Sequence, residues 1–392
     1  MTRSFPRRGF SFLSTRVLPH GQLRGAFQCM ALGMCLASVA GAQAVVPAAT
    51  PAAPAGLTGG LVVQLGTADT QTPIALGRTG RYLVHVLGVD GAGVAAAQTR
   101  CRAEGVYGLV SVEEATLGGK LPYTENLVNL VIVDAFAVPA RELFRVVTPN
   151  GAVLVRQSGL LGAPELVKAG FKVTESQGMP LIAVKPWPEE MDVWSHPRHG
   201  ADGNAVSGDT LVGPPARIRW VAGALSEVEG LVSAGGRNFY GGILARDSFN
   251  GLRLWHRSLR KAETNAAPFR LSRNAHNRAR PIASDAFVFV AEKNRLVALG
   301  AADGQPVRTF DGIVRPTDVV HCEGTVVVCG DSGVNAYQAN TGALLWSHSV
   351  PGPRNLAADQ HVVSFVHGRP ARGETVTAAV VGTSSGAVRW QR

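Results

Sequence analysis

The densest run of side chains that could do chemistry lies at residues 194–204, which read WSHPRHGADGN. His196, His199 and Asp202 offer two imidazoles and a carboxylate, a donor set that suits zinc or iron, with Asp209 as a fourth ligand. The same residues also suit an entry loop, in which Asp202 and Asn204 make turns and Trp194 docks on the structure that follows. Proline and glycine here do not fix both imidazoles on one rigid element, so the loop is preferred and no metal is assigned. The sequence has no CxxC pair, no zinc spacing and no nucleophile–base motif. Of its five cysteines, Cys29 and Cys35 lie in the first 44 residues. Cys101, Cys322 and Cys329 remain, an odd number that gives no disulfide framework. Cys322 and Cys329 are expected to flank one strand, Glu323 to Val328, too far apart to bond. All three read as small buried hydrophobes.

The elements that position these residues fall into a leader and two contrasting halves. Arg3, Arg7, Arg8, Arg16 and Arg24 precede an apolar run from Ala26 to Ala40 with no acid among them, and Ala42-Gln43-Ala44 forms a small-residue cleavage pattern. Residues 1–44 therefore read as a secretory signal peptide, too short to span a bilayer, and imply a periplasmic or secreted protein with no transmembrane segment once the leader is removed. Removing those five charges leaves +5 of the formal +10. No basic stripe interleaved with aromatics appears, so nucleic acid is not an expected partner. Residues 45–56 are a Pro/Ala-rich linker.

From residue 57 to 188 short apolar strands alternate with helix-compatible segments. Strands are expected at Leu61–Leu65, Tyr82–Val89, Gly108–Val112, Leu127–Val133, Ala152–Arg156, Phe171–Thr174 and Leu181–Val184. Val94–Glu104 and Pro139–Val147 are expected helices, and the pattern predicts a parallel, doubly wound sheet. Residues 189–204 form a junction. From 205 to 392 the strands are short and punctuated by Gly, Asn and Asp.

Four segments there align: ARDSFNGLRLW from 245, ALGAADGQPVRTF from 298, AYQANTGALLW from 336 and VVGTSSGAVRW from 380. Each is a strand, a turn ending in Gly251, Gly304, Gly342 or Gly386, and a second strand ending in an aromatic. The glycine separations of 53, 38 and 44 residues give a period near that of a propeller blade, with the first gap lengthened by an insertion around 261–280. Asx-Gly and Thr-Gly supply the positive φ of a tight hairpin. These segments resemble the pyrroloquinoline-quinone (PQQ) repeat, A-x-D-x-x-x-G-x-x-x-W, which Ala245, Asp247, Gly251 and Trp255 match fully. The resemblance implies about four blades of an all-β, partial propeller. In quinoprotein dehydrogenases of this fold PQQ sits on the axis with calcium, while many relatives keep the blades and carry no quinone.

Residues 57–188 resemble a class I S-adenosylmethionine methyltransferase, a Rossmann-like α/β fold. Leu61–Gly66 matches its first strand and cofactor loop, Leu127–Asp134 its fourth strand, Glu142–Leu154 its E-x-x-R-V-L-x-P-G-G segment, and Ala169-Gly170-Phe171 its closing turn. The resemblance implies S-adenosylmethionine as cofactor, bound by Gly66, Asp69, Asp90 and Asp134, with Asp90 holding the ribose. The loop keeps only Gly66 of the family's glycines, and Gln64 stands where the family has an acid. A rival feature, Gly91-Ala92-Gly93 opening a helix with Glu113 and Glu114 further on, resembles a dinucleotide fingerprint.

The order of leader, methyltransferase-like domain, W-x-H junction, D-x-x-V-G-P-P-x-x-x-x-W (Asp209 to Trp220) and quinoprotein-type blades resembles a group of bacterial exported PQQ-like propeller repeat proteins. The expected function is an exported binding or scaffold protein that meets a protein partner on its propeller surface. A methyltransferase is the alternative, and a PQQ-dependent dehydrogenase the second alternative. The sequence commits to no reaction.

Overall fold

A computed structural model describes residues 57–392 except 117–118, 175–179, 212, 214–217, 223–229, 242–243, 258–278 and 293. The leader and linker expected at 1–56, and most of the insertion expected around 261–280, lie outside the described residues.

The α/β half is one seven-stranded sheet. Its strands are β1 (Gly60–Leu65), β2 (Tyr82–Gly88), β3 (Val110–Glu114), β4 (Val128–Val133), β5 (Val147–Val155), β6 (Lys172–Thr174) and β7 (Leu181–Val184), in the order β3-β2-β1-β4-β5-β7-β6. Strands β1 and β4 are buried along their whole length because helices cover both faces, and this explains their unbroken apolar runs. One face packs Val62, Val84, Leu130 and Ile132. The other packs Val63, Leu65, Val131 and Val133 with Leu143 of α3 (Ala140–Val146) and Leu166 of α4 (Ala163–Lys168). The expectation of a parallel sheet holds for β1 to β5, but β7 runs antiparallel to β5 and to β6. The strand order reverses between β1 and β4, so the crevice past their C-terminal ends is where such a sheet binds ligands.

The C-terminal half is four antiparallel four-stranded sheets. Blade 1 is β8 (Leu231–Ala234), β9 (Arg237–Tyr240), β10 (Leu244–Asp247) and β11 (Arg253–His256). Blade 2 is β12 (Ile282–Ala283), β13 (Phe287–Glu292), β14 (Arg295–Gly300) and β15 (Pro306–Phe310). Blade 3 is β16 (Asp318–Cys322), β17 (Thr325–Gly330), β18 (Gly333–Gln338) and β19 (Leu344–His348). Blade 4 is β20 (Arg354–Ala358), β21 (Val362–His367), β22 (Thr377–Gly382) and β23 (Val388–Gln391).

The repeat glycines sit at φ 72, 70, 78 and 67°. Each donates its N–H to the carbonyl four residues earlier, as in Gly251 to Asp247 and Gly386 to Gly382. Each last hairpin carries a bulge at the same place, after Ala245, Ala298, Ala336 and Val380. Cys322 and Cys329 do not flank a single strand as expected. Glu323 and Gly324, both at positive φ, turn the chain between β16 and β17, and Cys329 pairs with Asp318. All three cysteines are free.

Among the contacts that join the two halves is a buried network centred on Asn129. Asn129, in the middle of β4's apolar run, accepts from the Leu61 N–H at 2.8 Å and from Asn250 Nδ2 at 2.8 Å, and donates to Asp247 Oδ2 at 2.7 Å. Asp247 Oδ1 accepts from the N–H groups of Phe249 and Asn250, which fixes the blade 1 turn, and Asn250 Nδ2 also donates to Leu127 O. Burial pushes the Asp247 carboxyl upward, against the pull of the Asn129 hydrogen bond. Removing Asn129 takes their partner from the buried Asp247 Oδ2 and the Leu61 N–H, each worth ~1–3 kcal/mol, while Asn250 Nδ2 keeps Leu127 O. Asn129→Ala is therefore expected to lower unfolding free energy by about 3 kcal/mol in urea titrations; a loss below about 0.5 kcal/mol would count against the interlock.

Candidate functional site

Two places inherit pockets from the folds described: the crevice past β1 and β4, and the propeller axis. The chain's own side chains and loops enter both.

In the crevice, Gly66 sits at φ 136°, and a Cβ there would lie 2.7 Å from Ala135 Cβ. Buried Gln64 draws the loop inward, its Nε2 donating to Gly66 O at 3.0 Å and Asp69 O at 2.7 Å. Asp69 Oδ1 accepts from the N–H groups of Gln71 and Thr72, at the start of α1 (Gln71–Arg78). Just past β5, Arg156 reaches back across the strand ends. Its guanidinium pairs with Asp69, donates to Thr72 Oγ1 at 2.7 Å and lies 3.8 Å from Asp134 Oδ1. Burial favours neutral Asp69, but the Thr72 and Arg156 hydrogen bonds hold its carboxyl below the usual range. Asp134 is pushed up by burial, with Arg156 opposing.

Gly66, Asp69 and Asp134 thus come together, and Asp90 borders the same loop: a Cβ on Gly93 would lie 2.4 Å from Asp90 Oδ2 and 2.8 Å from Thr67 Oγ1. Strand β2 ends at Gly88 rather than continuing toward Asp90. Asp90 is the N-cap of α2 (Gly91–Ala103), accepting from Ala92 N and Gly93 N at 3.0 Å each. Each carboxylate oxygen of Asp90 accepts one N–H of the helix start. The same cap uses the N–H groups that the Gly91-Ala92-Gly93 fingerprint would offer to a pyrophosphate. Thr67 fills the remaining corner: a Cβ on Gly88 would meet its methyl at 2.7 Å, and one on Gly93 its hydroxyl at 2.8 Å. Sequence reasoning missed Arg156, because a single arginine after a strand carries no local signal of what it will span.

On the axis, the junction segment bonds to the innermost strand of every blade. Trp194 O accepts from Ser233 N at 2.7 Å (β8), and Ser195 O from Ala283 N at 2.9 Å (β12). His196 Nε2 accepts from His321 N at 3.1 Å (β16), and Ala201 O from Ala358 N at 2.8 Å (β20). His196 and His199 form a tight two-residue-tipped hairpin, bonding N–H to carbonyl in both directions at 3.1 Å, with His199 at φ 71°. His196 Nδ1 meets Ser195 Oγ at 2.8 Å, so both of its ring nitrogens are used. His199 Nε2 lies 2.7 Å from Asp192 Oδ2, which also accepts from Gly208 N and Ser207 Oγ. Asp202 accepts from Asn204 N, the turn expected of it, and Asp209 Oδ2 accepts from Asp192 N. The metal set considered for His196, His199, Asp202 and Asp209 does not converge. Among the described residues no three His, Cys, Asp or Glu side chains group to hold an ion.

Two cavities are present, the second beside the axis segment. One, of about 230 Å3, separates Asn129, Thr148 and Asn150 from Arg237 and Asp285; the other, of about 470 Å3, borders His196, Phe287 and His321. Neither is lined by Gly66, Asp69, Asp90 or Asp134.

The order β3-β2-β1-β4-β5-β7-β6 with only β7 reversed is the sheet of the methyltransferase fold, and the four four-stranded sheets are propeller blades. Residues 281–392 match the family model described as outer membrane protein assembly factor BamB. The chain joins a methyltransferase-like domain to PQQ-like repeats. Among solved structures, BamB from Moraxella catarrhalis is 16% identical, with 44% of this chain and 51% of that chain covered and a TM-score of 0.31. The match thus spans about half of that BamB structure. A methyltransferase from Aquifex aeolicus is 20% identical (34% of this chain, 86% of that one, TM-score 0.28). One from Methanosarcina mazei is 13% identical (33% and 94%, TM-score 0.27). None of the curated proteins compared with the chain matches it.

His196 gives the axis a pH dependence. Burial, then the neighbouring His321 and His199, push it from the ordinary 6.5 to about 4, with Asp202 opposing. The unfolded chain takes this proton below pH 6.5, while the fold refuses it until about pH 4. The stability His196 contributes is thus complete above pH 6.5 and falls as pH drops through that window, by about 1.4 kcal/mol per pH unit and roughly 3 kcal/mol in all. In denaturant melts between neutral pH and pH 4, His196→Gln is expected to remove that share of the slope. An unchanged slope would show that His196 is not held neutral on the axis.

Proposed function

We propose that the chain is an exported, non-catalytic binding protein. In it a methyltransferase-like domain, taken as residues 57–188, serves as a rigid mount for a propeller, taken as 205–392, with the junction 189–204 between them. The carrying observation is Arg156. Its guanidinium bridges the β1 loop and the β4 end through Asp69, Thr72 and Asp134, across the crevice where S-adenosylmethionine would enter. The Asp90 cap and the Thr67 side chain point the same way, so the residues present do not fit that cofactor. On the axis, segment 194–201 holds the inner strands where a quinone and calcium would otherwise need donors from several blades. Export is supported by the arginine-rich, apolar leader read at 1–44. No helix among the described residues is long and apolar enough to cross a membrane. The matched model's description, an assembly factor, is of a kind that works through protein partners.

Calorimetry of the purified chain against S-adenosylmethionine, and separately against PQQ with calcium, tests the proposal. No binding heat is expected from either at millimolar ligand. Stoichiometric S-adenosylmethionine binding, with methyl transfer to any acceptor, would overturn it in favour of a methyltransferase.

A further inference from the structure

The cavity of about 230 Å3 between the α/β sheet and the blades is lined by polar groups that the fold itself does not use. One wall lies toward the N-terminal ends of β4 and β5 and carries Asn129, Thr148 and Asn150. This is the end of the sheet opposite the crevice past β1 and β4. The facing wall is the turn between β8 and β9, where Gly235 and Gly236 lie at φ 55 and 74° and Arg237 follows. Asp285, between β12 and β13, borders the same wall.

Arg237 is the unusual member. It stands opposite Asp247 across β9 and β10, the arrangement in which unlike charges ordinarily pair. That carboxylate is already committed: Oδ1 accepts from the N–H groups of Phe249 and Asn250, and Oδ2 from Asn129. The Cβ that Gly235 lacks would lie 3.2 Å from Arg237 Nη1 and 3.0 Å from Asp285 Oδ1, so the bare turn leaves both groups open on one side. Among the described residues the side chains of Arg237, Asp285, Thr148 and Asn150 enter no hydrogen bond or ion pair. Burial lowers the Arg237 pKa, with Asp247 and Asp285 opposing. A half-buried guanidinium thus faces the cavity without an acceptor.

The charges select what fits. An anion bound to Arg237 would meet Asp247 and Asp285, and a cation drawn to Asp285 would meet Arg237. A neutral molecule rich in both donors and acceptors avoids both repulsions. Thr148 and Asn150 can each donate and accept. Phe249, edge-on to Trp187 with ring centroids 6.1 Å apart, adds an apolar face for C–H groups. The volume is below the roughly 300–1,000 Å3 of sites for drug-sized ligands. We propose that this cavity binds a neutral polyol of the size of one sugar ring, whose hydroxyls accept from Arg237 and donate to Asp285. The two walls belong to the two halves of the molecule, so occupancy ties them together and stabilises the fold. The inference goes beyond the reading of the chain as a partner-binding protein and does not depend on it.

The full chain is titrated calorimetrically with neutral hexoses, neutral pentoses and myo-inositol at millimolar concentration, and its melting temperature is followed. Saturable one-to-one binding of at least one of them, with a rise in melting temperature, is expected. Arg237→Gln is expected to weaken that binding by about tenfold or more, since it removes hydrogen bonds to a charged group. Gly235→Asn keeps the turn, because asparagine tolerates positive φ at this place. Its side chain enters the gap between Arg237 and Asp285, so it is expected to abolish binding. No saturable binding of any of these sugars would overturn the proposal. So would tighter binding of gluconate, glucosamine or glycine, which carry charge. Undiminished sugar binding in Arg237→Gln and Gly235→Asn would also overturn it, whatever their melting temperatures without ligand. None of these outcomes bears on binding of S-adenosylmethionine or PQQ, so the cavity and the non-catalytic reading fail separately.

Discussion

A buried amide ties the two halves of the molecule together. Asn129 sits in a strand that is otherwise apolar, Val128–Val133, where an unpaired polar group would be costly. Its oxygen accepts from β1 and from Asn250, and its nitrogen donates to Asp247. Gly60, the first residue of β1, has φ 120°, and a Cβ there would lie 2.2 Å from the Asn129 oxygen. Strand pairing in one half and a hairpin turn in the other thus close on the same side chain, and neither can shift without leaving buried groups unpaired.

That constraint explains a peculiarity of the repeats. The position four before each turn glycine is Asp247, Gly300, Gln338 and Gly382, so only blade 1 carries the motif's acid. Blade 1 is also the blade whose turn meets the α/β sheet. Its aspartate organises the turn through Phe249 and Asn250 and presents its other oxygen to Asn129. The acid in blade 1 takes part in docking one domain on the other. The crevice and the axis are treated alike: an arginine, a threonine and a helix cap line the crevice, and residues 194–201 bond to the inner strands, while Gln64 Oε1 beside the crevice loop is left without a partner among the described residues.

Much of the architecture was legible in local patterns. Glycine and tryptophan spacing marks the blades because a bulged hairpin needs positive φ and a blade face needs a large cover. Unbroken apolar runs mark β1 and β4 because both of their faces are buried. What was not legible depends on register across distant segments. Strand β7 reverses direction without a sequence sign. Asp90, two residues past the end of β2, also caps α2, a bond the sequence pattern does not announce. Cys322 and Cys329 share a run that reads as one strand until Glu323 and Gly324 are seen to turn it. Arg156 and Asn129 are each one polar residue beside apolar neighbours, and their partners are 87 and 118 residues away. The histidines drew attention as ligands, but their nitrogens are used to bind the loop to the blades and to itself.

Residues 194–201 tie the inner strands of the four blades to one segment. Amide hydrogen exchange at Ser233, Ala283, His321 and Ala358 measures it, since each of these N–H groups bonds to that segment. All four are expected to be strongly protected and to lose protection together in His196→Gln. Fast exchange at these amides, at the rate of an open strand edge, would mean that the axis is vacant and would contradict the account.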